Sequence, residues 1–264
     1  MGLAPVFAAH LAPAQTETVL YNFASGSDGG QPVANLTSDG KGNFYGTTTE
    51  GGLKFGNGYG TVFELSPNGN GGWNENETVL YTFCPAPVCP DGAYPYSSVI
   101  FDSVGNLYGT AYTGGAYDRG VVFELRPAGT SWAETVLYSF TGGADGGSPT
   151  SDLIMDPSGD LFGTNSAGVF ELRRSSLGWA EQVIYQPEIG PQDVTGLTID
   201  AAGNIFGVGY STAFELSPNG NGGWNPTVLH YFLTRYFLGP DPVGAPGARQ
   251  ARKLLRCDLS WRHQ

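Results

Sequence analysis

Leu153–Phe170 reads LIMDPSGDLFGTNSAGVF, and the same order of parts returns at Leu36–Phe63, Val99–Phe123 and Leu197–Phe214. Each copy opens on an apolar strand that ends in Asp: ANLTSD (34–39), SSVIFD (97–102), SDLIMD (151–156) and TGLTID (195–200). A D-x-x-G-[N/D] turn follows, at Asp39–Asn43, Asp102–Asn106, Asp156–Asp160 and Asp200–Asn204. Gly and Asn tolerate the positive φ that tight hairpins demand, so a second strand should run back beside the first. That strand is NFYGT, NLYGT, DLFGT or NIFGV, and the third is TVFEL (61–65), VVFEL (121–125), GVFEL (168–172) or TAFEL (212–216).

Working outward, each third strand leads through a Pro or Arg turn to a Trp (Trp73, Trp132, Trp179, Trp224) and then a fourth strand. The fourth strands are ETVLYTF (77–83), ETVLYSF (134–140), EQVIYQP (181–187) and PTVLHYF (226–232), and an unaccompanied copy, ETVLYNF, stands at 17–23. Their starts are separated by 60, 57, 47 and 45 residues. A period of about 40–50 residues carrying four short strands belongs to propeller blades. Strands such as V-F-E-L and T-V-L-Y carry apolar groups on both faces, so each sheet must be sandwiched between two others. The expected fold is therefore all-β: a propeller-like array of about four four-stranded antiparallel blades, either a small ring or an incomplete arc of a larger one. The units are 33–83, 95–140, 149–187 and 192–232, within a repeat domain of 15–232.

Composition agrees with this and narrows the function. Gly accounts for 41 of 264 residues and charged residues for only 14%, a mix that suits short strands and tight turns rather than helices. Residues 1–232 hold 6 Lys and Arg against 22 Asp and Glu, which excludes the basic footprint of a nucleic-acid-binding protein. No stretch approaches the roughly 20 apolar residues of a membrane span. The start, MGLAPVFAAHLAPAQ, reads either as the end of a secretion signal over 1–14, with small residues Ala12-Pro13-Ala14 at a cleavage point, or as an N-terminal tail. After Phe232 the repeat stops and the sign of the charge reverses, so 233–264 reads as an aberrant basic tail, disordered or with a stray helix near 248–255. Cys84 and Cys89 flank the short loop CPAPVC, and a disulfide between them is expected in an oxidising compartment.

With the units aligned, the chain resembles the GloVer tandem-repeat proteins. The residues that carry the likeness are Gly51-Gly52 followed by Gly60-Thr-Val-Phe-Glu-Leu65, and Gly114-Gly115 followed by Gly120-Val-Val-Phe-Glu-Leu125; the later units keep Gly168-Val-Phe-Glu-Leu172 and Ala213-Phe-Glu-Leu216. The resemblance covers about 17–232 and implies a secreted or surface-displayed bacterial protein. More loosely, the L-x-x-D-x-x-G-N-L-Y unit is similar to the repeats of NHL-type and lactonase-type propellers, which would put the first strand innermost and the fourth outermost.

His is confined to positions 10, 230 and 263, outside the repeat interiors, which removes His-based nucleophilic and metal designs. The Asp of D-x-x-G-N supplies too few oxygens for calcium and reads as a turn cap. The recurring Glu64, Glu124, Glu171 and Glu215 sit mid-strand, and any that are buried need a partner. Function, where it departs from the repeat, should lie in the long insertions of the first two units (48–60 and 111–120) and the blade connections (25–32, 84–95, 142–149, 187–193). These bring forward Tyr59, Tyr94, Tyr96, Tyr112, Tyr117 and Asp118 as candidates for stacking and hydrogen-bonding a sugar. The expectation is a non-catalytic extracellular module that binds a polysaccharide or a cell-surface protein, with no cofactor and no metal. The alternatives are a lactonase- or glycosidase-like propeller hydrolase using carboxylates from the blade loops, and a surface repeat that self-associates through open edges.

Overall fold

A computed structural model describes residues 17–53, 58–69, 72–73, 77–85, 88–176, 178–187, 194–209 and 211–232. The signal-like start, the basic tail and most of the 187–193 connection lie outside the described residues. The described residues contain strands and no helix. Four antiparallel meanders follow one another: β1 (Thr37–Ser38) to β4 (Glu77–Thr82), β5 (Ile100–Phe101) to β8 (Ser131–Ser139), β9 (Ile154–Met155) to β12 (Gly178–Tyr185), and β13 (Gly196–Ile199) to β16 (Trp224–Tyr231). Their middle strands are β2 (Phe44–Thr48) and β3 (Thr61–Leu65), β6 (Leu107–Ala111) and β7 (Val121–Ala128), β10 (Leu161–Asn165) and β11 (Gly168–Ser175), and β14 (Ile205–Val208) and β15 (Thr212–Pro218).

In the first three blades the middle strands are largely buried on both faces, as sandwiching requires, while those of the fourth are only partly covered. In β6 all five residues are buried, and Phe63, Phe123, Phe170 and Phe214 are each 1% exposed or less. One feature of the sequence is explained by the sheet itself. Gly46, Gly109 and Gly163 lie directly across the ladder from Phe63, Phe123 and Phe170. A Cβ on any of the three would come 2.6 Å from the ring's Cζ, so the Gly of each [Y/F]-G-T is the floor on which the Phe of V-F-E-L lies.

Every blade also carries the same bulge. Val62 pairs with Tyr81 and Phe63 with Val79, leaving Leu80 extra, and the register shifts equivalently at Val122/Phe123, Val169/Phe170 and Ala213/Phe214. An extra residue re-aims the side chains beyond it. Here Val136 points back to the preceding blade, while Leu137, Tyr138 and Phe140 point forward onto Phe170 of the next. Phe83 meets Phe123 edge-on at 5.1 Å, and Phe140 meets Phe170 at 5.2 Å. Hydroxyls bind the junctions further. Thr47 Oγ1 donates to Ser97 O (2.8 Å), Thr164 Oγ1 to Val194 O (2.8 Å), and Thr37 Oγ1 to Val99 O.

Two details depart from the sequence reading. The third and fourth strands run past the expected turn, pairing Arg126 with Ala133 and Pro127 with Trp132, because the hairpin closes at Gly129 instead. Residues 17–23 join none of the sheets; they lie on blade 1 through Phe23, whose ring meets Phe63 at 4.9 Å. Of ring and arc, the described residues form the arc: the two terminal faces stay open, with Leu36 44% and Phe232 45% exposed.

Candidate functional site

The connections between blades are built on one device used three times. In each copy a Tyr-x-Phe segment, at 21–23, 81–83 or 138–140, runs into a loop whose Asp turns back on it. Asp28 Oδ2 accepts from Tyr21 Oη (3.2 Å) and Ala24 N (2.7 Å). Asp91 Oδ2 accepts from Tyr81 Oη (2.7 Å) and Cys84 N (3.0 Å). Asp145 Oδ2 accepts from Tyr138 Oη (3.0 Å) and Thr141 N (2.8 Å), and its Oδ1 accepts from Thr141 Oγ1. The fourth strand of the next blade then contributes a glutamate: Glu77, Glu134 and Glu181 in turn. Oε1 of each is buried and has no hydrogen-bond partner. Burial, and then the charge of Asp28, Asp91 or Asp145, pushes each of these glutamates up to about 7. The fourth blade lacks the device, having Pro226 where the others have Glu.

In the third copy the two acids are driven apart. Burial alone would raise Asp145, but bonds from Thr141 and Tyr138 outweigh it and hold that carboxyl below its usual range, while Glu181 stands near 7. A low carboxylate beside a high one is the arrangement that separates a base from an acid. This copy is also flanked by the second blade's long loop. The Arg119 side chain lies against Gly142, where a Cβ would come 2.9 Å from its Nε, and Arg119 O accepts from Ser148 N (2.7 Å). Tyr117, 60% exposed, is near enough to Tyr138 that its charge would raise the Tyr138 hydroxyl, which burial and Asp145 already hold well above its usual value.

The tyrosines singled out by the sequence fall into three places. Tyr59 and Tyr94 form one edge-on pair at 5.4 Å, and Tyr96 and Tyr112 form another at 5.4 Å. Backbone bonds from Tyr94 N to Tyr59 O and from Tyr112 N to Tyr94 O tie the four residues into one stretch of the loop face. Tyr117 stands apart from them, beside Tyr138. Asp118 is exposed, and its Oδ1 caps the loop by accepting from Gly114 N (3.0 Å). Cys84 and Cys89 are joined through their sulfurs, with their Cα atoms 4.4 Å apart, and so close the loop that presents Asp91.

Glu77, Glu134 and Glu181 escaped the sequence reading, which registered them only as the first residues of strands. A signal was available: an Asp stands seven residues beyond the Tyr of E-x-V-[L/I]-Y-x-F in two copies, Tyr21 to Asp28 and Tyr138 to Asp145.

At the other end of the strands a cavity of about 590 Å³ opens among Asp102, Tyr108, Asp156, Arg174, Trp179 and Asp200. Its acids are already engaged. Asp102 Oδ1 accepts from three backbone N–H groups, at Val104, Gly105 and Asn106, and Oδ2 from Asn106 Nδ2 (2.8 Å). Asp156 and Asp200 cap their turns in the same way. These are structural carboxylates. Among the described residues no three His, Cys, Asp or Glu side chains gather as a metal ion would require.

Several solved structures share this arrangement of sheets. A protein from Lactobacillus plantarum superposes with a TM-score of 0.50 at 18% identity, over 78% of this chain and 57% of its own. Virginiamycin B lyase from Staphylococcus aureus gives 0.48 at 15%, over 78% and 57%. A gluconolactonase from Xanthomonas campestris gives 0.47 at 11%, over 70% and 58%. The chain thus spans less than two thirds of the length of these proteins, and at such identities the likeness is one of fold. A search of curated protein sequences finds no match. The expectation of a non-catalytic module is corrected at this point. A Glu181 with a buried oxygen that meets no donor, set beside the loop carboxylate of Asp145, is what the alternative, a hydrolase with loop carboxylates, calls for and a non-catalytic module does not. The sequence model of the Gloeobacter/Verrucomicrobia repeat matches residues 5–168 and 54–237, and the chain belongs to that family.

Proposed function

We propose that this protein is a propeller hydrolase of lactonase or glycosidase type, acting outside the cytoplasm, with its acid and base at the junction of the second and third blades. The observation that carries the reading is the buried, donor-less Oε1 of Glu181 on the third blade facing the loop carboxylate of Asp145, which Tyr138 and Thr141 hold in place; burial and Asp145 push Glu181 up to about 7, while those bonds hold Asp145 low. Glu181, protonated below neutrality, donates a proton to the leaving oxygen of a glycoside or to the ring oxygen of an opening lactone. Asp145, ionised, takes a proton from the attacking water or attacks the sugar carbon itself. Tyr117 offers an exposed ring for a sugar face, and Arg119 a cation beside the loop. The Cys84–Cys89 disulfide suits an oxidising compartment.

The test is turnover of aryl glycosides and sugar lactones by the full chain between about pH 5 and 8. Glu181→Gln and Asp145→Asn should each lower kcat roughly 100-fold with unchanged circular dichroism, a loss typical of removing a general acid or base. In the unmodified protein kcat should fall as Glu181 ionises above about 7. Absence of turnover on both substrate classes, or activity indifferent to both substitutions, overturns the reading.

A further inference from the structure

Tyr21, Tyr81, Tyr108 and Tyr138 are tied into the fold by their hydroxyls, each of which donates to a carboxylate. Tyr59, Tyr94, Tyr96 and Tyr112, on the loop face, are not: among the described residues no group bonds their hydroxyls. Their rings meet in two edge-on pairs, yet Tyr96 is 42% exposed and the other three are only half-buried. Tyr94 also holds a backbone conformation that bulky residues avoid, with φ at 57°. Gln31 and Ser148 hold the same place in the other D-G-[G/A]-x-P connections, at 54° and 52°, so the turn imposes the strain. Particular to the second connection is that a large ring is kept there against its own preference, as happens where the side chain itself is used.

Both long insertions are needed to bring these rings together. The first blade's insertion lies on the connection into the second, where a Cβ on Gly60 would come 2.7 Å from Pro95 Cδ; the bare glycine lets Tyr59 settle on Tyr94. The connection is bonded in turn to the second blade's insertion, Ala93 N to Thr113 O (3.0 Å) and Tyr112 N to Tyr94 O (3.1 Å). That insertion runs on through the turn capped by Asp118 to Tyr117, beside the Tyr138 whose hydroxyl holds Asp145. One backbone-bonded run of loop therefore leads from the junction of blades 1 and 2 to the Asp145–Glu181 pair. The third blade joins β10 to β11 through Ser166 and Ala167 alone and adds nothing to it.

We propose that this tyrosine run is the binding face for a neutral polysaccharide, so that the bond presented to Asp145 and Glu181 lies within a sugar polymer; the binding stands on the tyrosines, and only the cleavage rests on the function proposed above. The apolar face of a sugar packs on an aromatic ring, and its hydroxyls pair with phenol groups that both donate and accept. Two ring pairs followed by Tyr117 offer places for several sugar units, which a small lactone or a single glycoside would leave unused. Charge selects the kind of polymer. Burial, then Tyr59, Tyr96 and Glu50 in turn, raise the Tyr94 hydroxyl, which places Glu50 among the rings. Asp118 lies on the same loop, and residues 1–232 hold 22 acids against 6 Lys and Arg. Like charges set against such a surface are costly, so a polyuronate is refused.

Affinity electrophoresis of the full chain carrying Glu181→Gln, so that the polymer is not consumed, tests the binding. The gels contain laminarin, arabinoxylan, galactomannan or, as the polyanion, polygalacturonate. Retention by at least one of the neutral polymers and none by polygalacturonate is expected. Adding Tyr96→Ala should weaken that retention about tenfold, as loss of an aromatic anchor does. Tyr94→Phe with Tyr96→Phe keeps the rings and removes only hydroxyls that no described residue bonds. It should weaken retention about threefold, the share of a neutral hydrogen bond, with the melting temperature unchanged. A lowered melting temperature with full retention would make these tyrosines packing groups and overturn the proposal. So would no retention in any gel, or retention by polygalacturonate alone. Should aryl glycosides still be turned over in that event, the hydrolase reading stands without the binding face. Retention that both variants weaken, with no reducing sugar released from the same polymer by the unmodified protein, upholds the binding face and overturns the hydrolase reading.

Discussion

Two rows of glutamates run through this molecule, and they differ in everything but their recurrence. The row on the third strands is partnered. Glu124, 1% exposed, accepts from Tyr108 Oη at 2.8 Å and has Arg126 Nη2 2.6 Å away, an ion pair without the alignment of a hydrogen bond on that oxygen. Glu171, 2% exposed, has Arg173 Nε at 2.9 Å and accepts from Trp224 Nε1 of the next blade at 3.3 Å. The row at the fourth strands, Glu77, Glu134 and Glu181, has buried oxygens with no donor and a like charge nearby. Recurrence alone therefore does not identify a structural acid. What decides is whether each copy meets a donor or another carboxylate.

The largest effect should separate the rows directly. Glu124→Ala takes from the Tyr108 hydroxyl its shorter bond, leaving it Asp102 Oδ2 at 3.2 Å, and leaves Arg126 without its counter-ion. The Arg126 side chain is half-exposed and can turn to water, so the loss is about 2 kcal/mol, the range for a hydrogen bond to a charged group. Glu134→Ala should cost well under half of that in the same urea titration at pH 7. Equal losses from the two would erase the distinction.

The second effect is in pH. For the fourth-strand row the folded value, about 7, lies above the ordinary 4.5, so the folded protein holds protons that the unfolded chain releases. That contribution is fully present below about 4.5 and is lost as pH rises to about 7. Asp39, Asp102, Asp145 and Asp200 are held below 3.8 in the folded state, so their contribution is present above that value and lost as pH falls through their lower folded values. Stability should therefore peak at mildly acidic pH. Replacing Glu77, Glu134 and Glu181 together by Gln should flatten the decline toward neutrality. The gain at pH 8 should be on the order of 1 kcal/mol per site, discounted because the half-exposed carboxyls are partly screened by water. Thermal melts from pH 4 to 8 measure it, and a decline of the same slope in the triple variant would locate the titration elsewhere.

The two rows also mark how far the sequence could be read. Third-strand glutamates sit between Phe and Leu, so a pattern of period two puts them inside and demands a partner; the partners proved to be Tyr108, Arg126 and Arg173. The fold was legible for the same reason, since D-x-x-G-N turns and doubly apolar strands state both the hairpins and the need for neighbours. Glu77, Glu134 and Glu181 lie on fourth strands at a junction where the burying surface belongs to another blade. Their other partner, the loop Asp, comes from the connection before that blade. Neither is adjacent along the chain, so the pairing becomes visible only once the blades are stacked. The tyrosines stood out in the sequence because they break the repeat, while the acids did not because they obey it.

The smallest effect concerns variation within the partnered row. The sandwiched blades answer their buried Glu124 and Glu171 with Arg126 and Arg173, two residues on. The end blades, whose Glu64 and Glu215 are only half-buried, use Ser66 (2.9 Å) and Ser217 (3.0 Å) at the same offset. A carboxylate that keeps contact with water needs one neutral donor, whereas a fully enclosed one needs a cation. Ser66→Ala should therefore cost only about 0.5 kcal/mol, the low end for a neutral hydrogen bond, since water can take the donor's place. Arg126→Ser, which installs the end-blade solution in a sandwiched blade, should cost clearly more. If the two substitutions shift the urea midpoint equally, enclosure is not what selects the partner, and the Arg residues serve the blade edges instead.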